Sequence, residues 1–155
     1  MAGQIEQHLK TLGLSVPTAS TPVANYVPWV LTGALVFVSG QIPLENGTVA
    51  SQGIVGKDLT TEQAYAAAKL CGLNLIAHVR NACDGDLDRV KRVVKLTGFV
   101  ACTPGFTEQP QVINGASDLM VQVFGDAGRH SRAAVGAPAL ARGASVEVEA
   151  VFEIA

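Results

Sequence analysis

The chain contains 155 residues, of which 48% are apolar and 15% are charged, and its formal net charge is −2. This length suits one domain spanning residues 1–155, and the apolar content excludes an intrinsically disordered chain. The charged fraction is low for a small domain that is surrounded by water. We therefore expect part of the surface to be covered, most simply by other copies of the same chain.

Positive charge is sparse, and its densest segment holds Arg89, Lys91, Arg92 and Lys95. This spacing is typical of a solvated sheet face or edge, and a phosphate-binding stripe is the alternative. Affinity for nucleic acid depends on clustered positive charge, so the sequence argues against a nucleic-acid partner.

The three cysteines, Cys71, Cys83 and Cys102, form an odd set without C-x-x-C spacing. We therefore expect neither a disulfide framework nor a metal site, and we interpret them as buried hydrophobic side chains in a reducing compartment. Residues 1–14 lack the apolar core of a signal peptide, and no segment approaches the roughly 18–20 apolar residues that cross a bilayer. We expect a cytoplasmic protein without membrane contact.

Hydrophobic spacing and turn residues predict three helices and five strands. A capping box is predicted at Thr60–Gln63, Pro110 suits the first turn of a helix, and Asn46-Gly47 suits a tight turn. The segment 40–43 is expected to leave the sheet. In chain order, the predicted elements are a helix near residues 5–12, strands over 29–31 and 35–39, a helix from 61 to 81, a strand over 90–102, a helix from 110 to 124, and strands over 131–136 and 145–154.

This order predicts an α+β fold, a two-layer sandwich with two long helices on one sheet face and a short N-terminal helix in addition. The other sheet face would be mixed, with Thr97 and Phe99 on one strand and Glu147 and Glu149 on another. A mixed, uncovered face in a charge-poor chain suggests packing against the sheet of another subunit.

The sequence lacks common catalytic motifs: no phosphate-binding loop, H-E-x-x-H, EF-hand loop or G-x-S-x-G segment is present. Its histidines, His8, His78 and His130, are widely separated, so a histidine-dependent triad has little support. His78 fits a packed position on the long helix. His130 fits either a surface loop or, because it is close to Arg132, a substrate contact.

Four segments carry a family pattern: S-G-Q-I-P at residues 39–43, Asn114-Gly115, S-R-A-A-V at 131–135, and V-E-V-E-A at 146–150. Together and in this order they resemble the Rid family, also called the YjgF-like or endoribonuclease L-PSP family. The resemblance spans residues 26–153.

The resemblance implies a chorismate-mutase-like fold with a mixed sheet, assembled as a homotrimer with clefts between subunits. It implies hydrolysis of reactive enamine and imine acids, such as 2-aminoacrylate, to 2-oxo acids and ammonia without a cofactor. In that reading Arg132 binds the substrate carboxylate, Glu147 lies near the attacking water, and Tyr26 completes the catalytic set. The expected substrate-binding residues are Ser39, Gln41, Asn114, Phe99 and His130.

Residue chemistry agrees with this reading, because the fixed fork of an arginine binds a small planar carboxylate bidentately. A carboxylate in a cleft can move the protons that imine hydrolysis requires. Structural roles are the alternatives: an ion pair for Arg132, a solvated face for Glu147, backbone hydrogen bonding for Ser39, and hydrogen bonding from a helix face for Asn114.

The chain departs from the deaminase pattern at Ala134, where that pattern has a cysteine, and also at Gly136 and over residues 128–130. It also has an additional N-terminal helix and longer connections. A non-catalytic trimer that binds 2-oxo acids or similar small carboxylates is therefore the second candidate function. Ribonuclease activity is the third.

Overall fold

The computed structural model describes residues 3–155 and contains a five-stranded sheet, a separate small hairpin and three helices. The strands are Trp29–Thr32 (β1), Leu35–Gln41 (β2), Leu44–Glu45 (β3), Thr48–Val49 (β4), Val90–Ala101 (β5), Ser131–Ala137 (β6) and Val146–Ile154 (β7). The helices are Gln4–Thr11 (α1), Thr61–Ala82 (α2) and Gln109–Phe124 (α3).

The main sheet has the strand order β1-β2-β7-β5-β6. The pair β5–β6 is parallel, and the other neighbours are antiparallel. Both α2 and α3 contact the same face, which confirms the predicted two-layer α+β fold with a mixed sheet. Strand β7 is central and β6 is an edge strand, so side chains on β6 lie at the rim of the sheet.

Both long helices begin and end within one residue of the predicted positions. The backbone N–H of Gln63 donates to Thr60 Oγ1 at 3.2 Å, and Gln63 Oε1 accepts from the backbone N–H of Thr60 at 2.9 Å, which completes the capping box. Pro110 lies in the first turn of α3, where a missing N–H is tolerated. Gly125 ends α3 with a φ of 62°, a conformation that favours glycine.

The core lies between the helices and the sheet, and it depends on close backbone approach. Leu96, Val148 and Phe152 are fully buried on the helix-covered sheet face. A Cβ atom at Gly115 would collide with the backbone carbonyl oxygen of Tyr65, so α2 and α3 can pack this closely only because residue 115 is glycine. Small residues therefore set the spacing of the helix layer.

The segment after the first hairpin differs from the prediction that residues 40–43 leave the sheet. Gly40 and Gln41 remain in β2, and Gln41 pairs with Val148 after a register shift that begins beyond Val38. This bulge places two β2 residues where the ladder would hold one. The polar residues of this segment hide the alternating strand pattern in the sequence, and pairing with β7 keeps the segment in the sheet.

The N-terminal helix is held by a residue distant in sequence. Asp88 accepts hydrogen bonds from the backbone N–H groups of Gln4 and Ile5, each at 2.8 Å, and these bonds lower the pKa of its carboxyl. Leu9 of α1 is buried against the rest of the domain, as its helical spacing predicts. Within residues 3–155, no helix has the length and apolar character needed to span a bilayer.

Candidate functional site

Arg132 lies at the start of β6 and points toward α3. Its Nη1 donates to Asn114 Oδ1 at 2.7 Å and to Ser117 Oγ at 3.2 Å. Asn114 and Ser117 are three residues apart on α3, a spacing that places both side chains on one helix face. We call the set Asn114, Ser117, His130 and Arg132 the guanidinium cluster.

The guanidinium of Arg132 is partly buried and makes no ion pair with any carboxylate of residues 3–155. Both of its side-chain hydrogen bonds use Nη1, and neither Nε nor Nη2 has a partner in the described part of the chain. The Nε–Nη2 edge is one of the two forks with which arginine binds a carboxylate. The cluster therefore anchors one side of the cation and leaves a binding edge available.

His130 extends this cluster behind Arg132. Its Nε2 lies 2.8 Å from Ser117 Oγ, and its Nδ1 lies 2.7 Å from the carbonyl oxygen of Gly128. Partial burial is the main cause that lowers the pKa of His130; the hydrogen bond to Gly128 opposes it, and the positive charge of Arg132 lowers the pKa further. Both ring nitrogens thus have intramolecular partners.

A second group of predicted residues surrounds a cavity of about 140 Å³ beside the β2 bulge. Tyr26, Gln41 and Glu147 line this cavity, as do His78 and Arg142. Tyr26 is half-exposed on the arm that precedes β1, whereas Gln41 is buried and donates through Nε2 to the carbonyl oxygen of Ser39 at 2.9 Å. We call this space the Glu147 cavity.

The surroundings of Glu147 favour the protonated form of its carboxyl group. Partial burial raises the pKa of its carboxyl, and the nearby negative charge of Glu149 raises it further. Its carboxylate lies against Gly40, where an added Cβ atom would be 2.6 Å from Glu147 Oε1. The bulge glycine therefore leaves room for this carboxyl group.

Arg132 and Glu147 lie on opposite faces of the sheet. Arg132 is in register with Leu96 of β5, which is buried on the helix-covered face, whereas Glu147 is in register with Phe99 on the uncovered face. Arg132 and Glu147 are offset by three residues along the strands and by two strand spacings across the sheet. With about 3.3 Å per residue and about 4.8 Å between strands, the two residues are more than about 10 Å apart. One subunit does not place both side chains around a single small ligand.

The remaining predicted residues lie on or near the uncovered face. Phe99 is partly buried there, opposite Glu147. Ser39 Oγ donates to the carbonyl oxygen of Val27 at 2.7 Å, which gives this side chain a structural hydrogen bond. It also lines a groove on the uncovered face together with Phe37 and Thr97.

The structure adds three residues that the sequence did not single out for these sites: Ser117 in the guanidinium cluster, and His78 and Arg142 in the Glu147 cavity. The i, i+3 spacing of Asn114 and Ser117 was the one available signal for Ser117. Arg142 has a φ of 57°, which no sequence pattern indicated. Among residues 3–155, no group of three His, Cys, Asp or Glu side chains is arranged to hold a metal ion.

Comparison with known proteins connects this chain to a family. The family described as "YjgF/chorismate_mutase-like, putative endoribonuclease" matches residues 6–152. Protein TCP17 of Trypanosoma cruzi is 46% identical to this chain over 154 residues, which cover 99% of this chain and 96% of that protein.

Two solved structures extend the comparison. Atu1372 from Agrobacterium tumefaciens, a protein of unknown function, is 50% identical, with a TM-score of 0.91 over 97% of this chain and 92% of that one. A "putative endoribonuclease" from Shewanella oneidensis MR-1 is 35% identical, with a TM-score of 0.94 over 98% of this chain and 100% of that one. The chain therefore belongs to the YjgF family, the Rid family to which its sequence motifs point.

Proposed function

We propose that this protein hydrolyses reactive enamine and imine acids, of the 2-aminoacrylate type, to 2-oxo acids and ammonia. The observation that carries the proposal is Arg132, a partly buried cation that is anchored through Nη1 and has no carboxylate partner within residues 3–155. Burying a cation costs free energy unless an anion compensates it. A planar substrate carboxylate fits the Nε–Nη2 edge as that anion.

The proposal requires a second subunit, because Arg132 and Glu147 leave opposite faces of the sheet. A homotrimer would place the β6 rim of one subunit beside the Glu147 cavity of the next, which creates an intersubunit cleft. Exposed apolar side chains on the uncovered sheet face support such an assembly. Val30 is 51% exposed, Phe37 46% and Val135 43%, and side chains of this kind are typical of a face that another subunit covers.

The chemistry needs only water and proton transfer. An enamine acid first becomes an imine when its Cβ gains a proton and its nitrogen loses one. A water oxygen then bonds to C2, the C=N electron pair moves to nitrogen, and the water gives up a proton as the nitrogen gains one. The carbinolamine nitrogen then gains the proton that the hydroxyl group loses, and the C–N bond breaks as the C=O bond forms, which releases ammonia. A 2-oxo acid and ammonia result.

In these reaction steps, Glu147 accepts the proton from the attacking water and returns a proton to the nitrogen. Partial burial raises the pKa of Glu147 toward the operating pH, and a raised pKa makes a carboxyl group a better proton donor to the nitrogen while it can still accept a proton from water. Tyr26 lines the same cavity and would hold the reacting end of the substrate. No organic cofactor or metal is required, since the imine carbon is already electrophilic.

Turnover is tested by incubating the protein with enzymatically generated imino acids and following ammonia release and the trapping of the imine as its semicarbazone. The proposal predicts faster ammonia release and less semicarbazone than in the protein-free control, with the same rates in EDTA. Ammonia release at the spontaneous rate would contradict the proposed hydrolysis.

A non-catalytic trimer that binds 2-oxo acids is the second candidate. It is supported by the guanidinium cluster, which one subunit completes, and by Ala134 at the position of the usual cysteine. Saturable binding of a 2-oxo acid without ammonia release would favour it.

Ribonuclease activity is the third candidate, and charge argues against it. Within the basic segment, Arg89 already pairs with Asp84 at 3.0 Å and donates to the carbonyl oxygen of Ala155. Cleavage of labelled RNA by the pure protein would favour this third candidate over the other two.

A further inference from the structure

We propose that Ser117 and His130 are positioning residues that fix the Arg132 guanidinium so that its Nε–Nη2 edge faces the carboxylate ligand. The inference rests on the proposed function, because it assumes that Arg132 binds a carboxylate. Neither residue needs to touch the ligand. Their contribution is made through the orientation of Arg132.

The hydrogen-bond donors and acceptors in the cluster have one consistent arrangement with a neutral imidazole. The carbonyl oxygen of Gly128 can only accept, so His130 Nδ1 carries the proton that is donated to it at 2.7 Å. In a neutral imidazole Nε2 is then the acceptor, and Ser117 Oγ–H donates to it across 2.8 Å. This leaves the lone pairs of Ser117 Oγ to accept from Arg132 Nη1 at 3.2 Å.

The result is a directed chain of hydrogen bonds from Arg132 through Ser117 and His130 to the backbone of Gly128. Each link orients the next, and the backbone carbonyl fixes its far end. Partial burial lowers the pKa of His130, which favours the neutral ring that the chain requires.

Two acceptors on one nitrogen determine the guanidinium orientation. Arg132 Nη1 has two hydrogens, and Asn114 Oδ1 and Ser117 Oγ accept one each. Because the guanidinium is planar, fixing both hydrogens of Nη1 also fixes the direction of the Nε–Nη2 edge. A side chain that is held before the ligand arrives loses less conformational entropy on binding. Removing Ser117 Oγ would leave Asn114 as the only anchor and allow the plane to rotate.

The test is a thermodynamic cycle between residues 117 and 132, measured as the Kd of 2-oxobutyrate by calorimetry. Ser117→Ala should weaken binding roughly five- to tenfold, the effect of losing one orienting hydrogen bond. Ser117→Thr keeps the hydroxyl and should stay within about twofold of the parent, because the chain of hydrogen bonds is restored. The matched control is Ser15→Ala, at an exposed serine between α1 and β1, which should bind like the parent.

The second arm of the cycle repeats Ser117→Ala in an Arg132→Lys background. An ammonium has no planar edge to orient, so the added substitution should change Kd by less than about twofold there. A merely structural role for Ser117 would weaken binding equally in both backgrounds. His130→Phe should also weaken binding. The variant that combines Ser117→Ala with His130→Phe should bind no more weakly than Ser117→Ala alone.

Failure of the positioning role can be distinguished from failure of the carboxylate site. If Arg132→Lys weakens binding while Ser117→Ala binds as tightly as the parent, the positioning role is wrong and the carboxylate site remains. If Arg132→Lys itself binds like the parent, the proposed carboxylate site is wrong. Thermal unfolding of each variant identifies a loss of fold, and equal losses of affinity in both backgrounds would overturn the positioning role.

Discussion

In the proposed mechanism, catalysis and stability both depend on the proton of the Glu147 carboxyl group. Partial burial and Glu149 raise its pKa in the folded protein above the ordinary carboxyl value of 4.5. The folded state therefore keeps this proton over a pH range in which the unfolded chain has released it. Stability falls as pH rises from about 4.5 through the raised pKa, and it stays at the lower level above it.

Glu147→Gln should remove this loss of stability at high pH and leave Arg132, the carboxylate anchor, intact. We expect the variant to be more stable than the parent at pH 7 and to have no such advantage at pH 3, measured as melting temperatures across that range. Turnover should fall by about 10²- to 10⁴-fold, the usual contribution of a general acid or base, with unchanged affinity for 2-oxobutyrate. A stability difference that does not vary with pH would show that Glu147 has an ordinary pKa.

At the residue scale, the sequence predicts which residues form the site better than it predicts their arrangement in space. Arg132 and Asn114 were chosen from a motif pattern, and the structure places them in hydrogen-bond contact. Ser117 belongs to no motif, and its contact with Arg132 appears only when α3 lies across β6. The direction of His130, away from open solvent and toward Ser117 and Gly128, also depends on tertiary packing.

At the scale of elements, the contact between α2 and α3 depends on Gly115. In Gly115→Ala the new methyl would meet the backbone carbonyl of Tyr65, which cannot move without shifting α2. Overpacking of this kind costs up to about 3 kcal/mol, and the better helix propensity of alanine returns about 1 kcal/mol.

We therefore expect Gly115→Ala to lower the free energy of unfolding by about 2 kcal/mol in urea titration at fixed protein concentration. The matched control is Gly105→Ala, since no atom lies within 4 Å of an added Cβ there; it should stay within about 0.5 kcal/mol of the parent. Equal stability of the two variants would mean that the helices can separate at no cost.

Local signals predicted most elements because the deciding interactions are close in sequence. The capping box of α2 and the turn at Asn46-Gly47 are formed by neighbouring residues, and both are present. Two features escaped prediction because their partners are distant. The β2 bulge depends on pairing with β7, and the start of α1 is held by Asp88, more than 80 residues away.

For the whole molecule, the central expectation is a homotrimer with the uncovered sheet faces at its centre. Sedimentation at micromolar concentration should give three times the chain mass of 16.0 kDa. Phe37→Glu would place a charge on this face and should dissociate the assembly, because an unpaired buried carboxylate is costly.

The matched control for assembly is Leu31→Glu. Leu31 is as exposed as Phe37, at 48% against 46%, but it is in register with buried Val36, whose side chain faces the helices. The control variant should remain trimeric. A monomeric parent protein, or equal dissociation of both variants, would contradict the proposed interface.

The carboxylate site is the claim on which the proposed function depends, and Arg132→Lys tests it most directly. Lysine keeps the charge and a stem of similar length but loses the planar edge. Calorimetric titration with 2-oxobutyrate should show binding about ten- to a hundredfold weaker, the 1.5–3 kcal/mol of a charge-assisted pair. Arg129→Lys, at a side chain that is 73% exposed, is the matched control and should bind like the parent. An Arg132→Lys protein that binds 2-oxobutyrate as tightly as the parent would contradict the account.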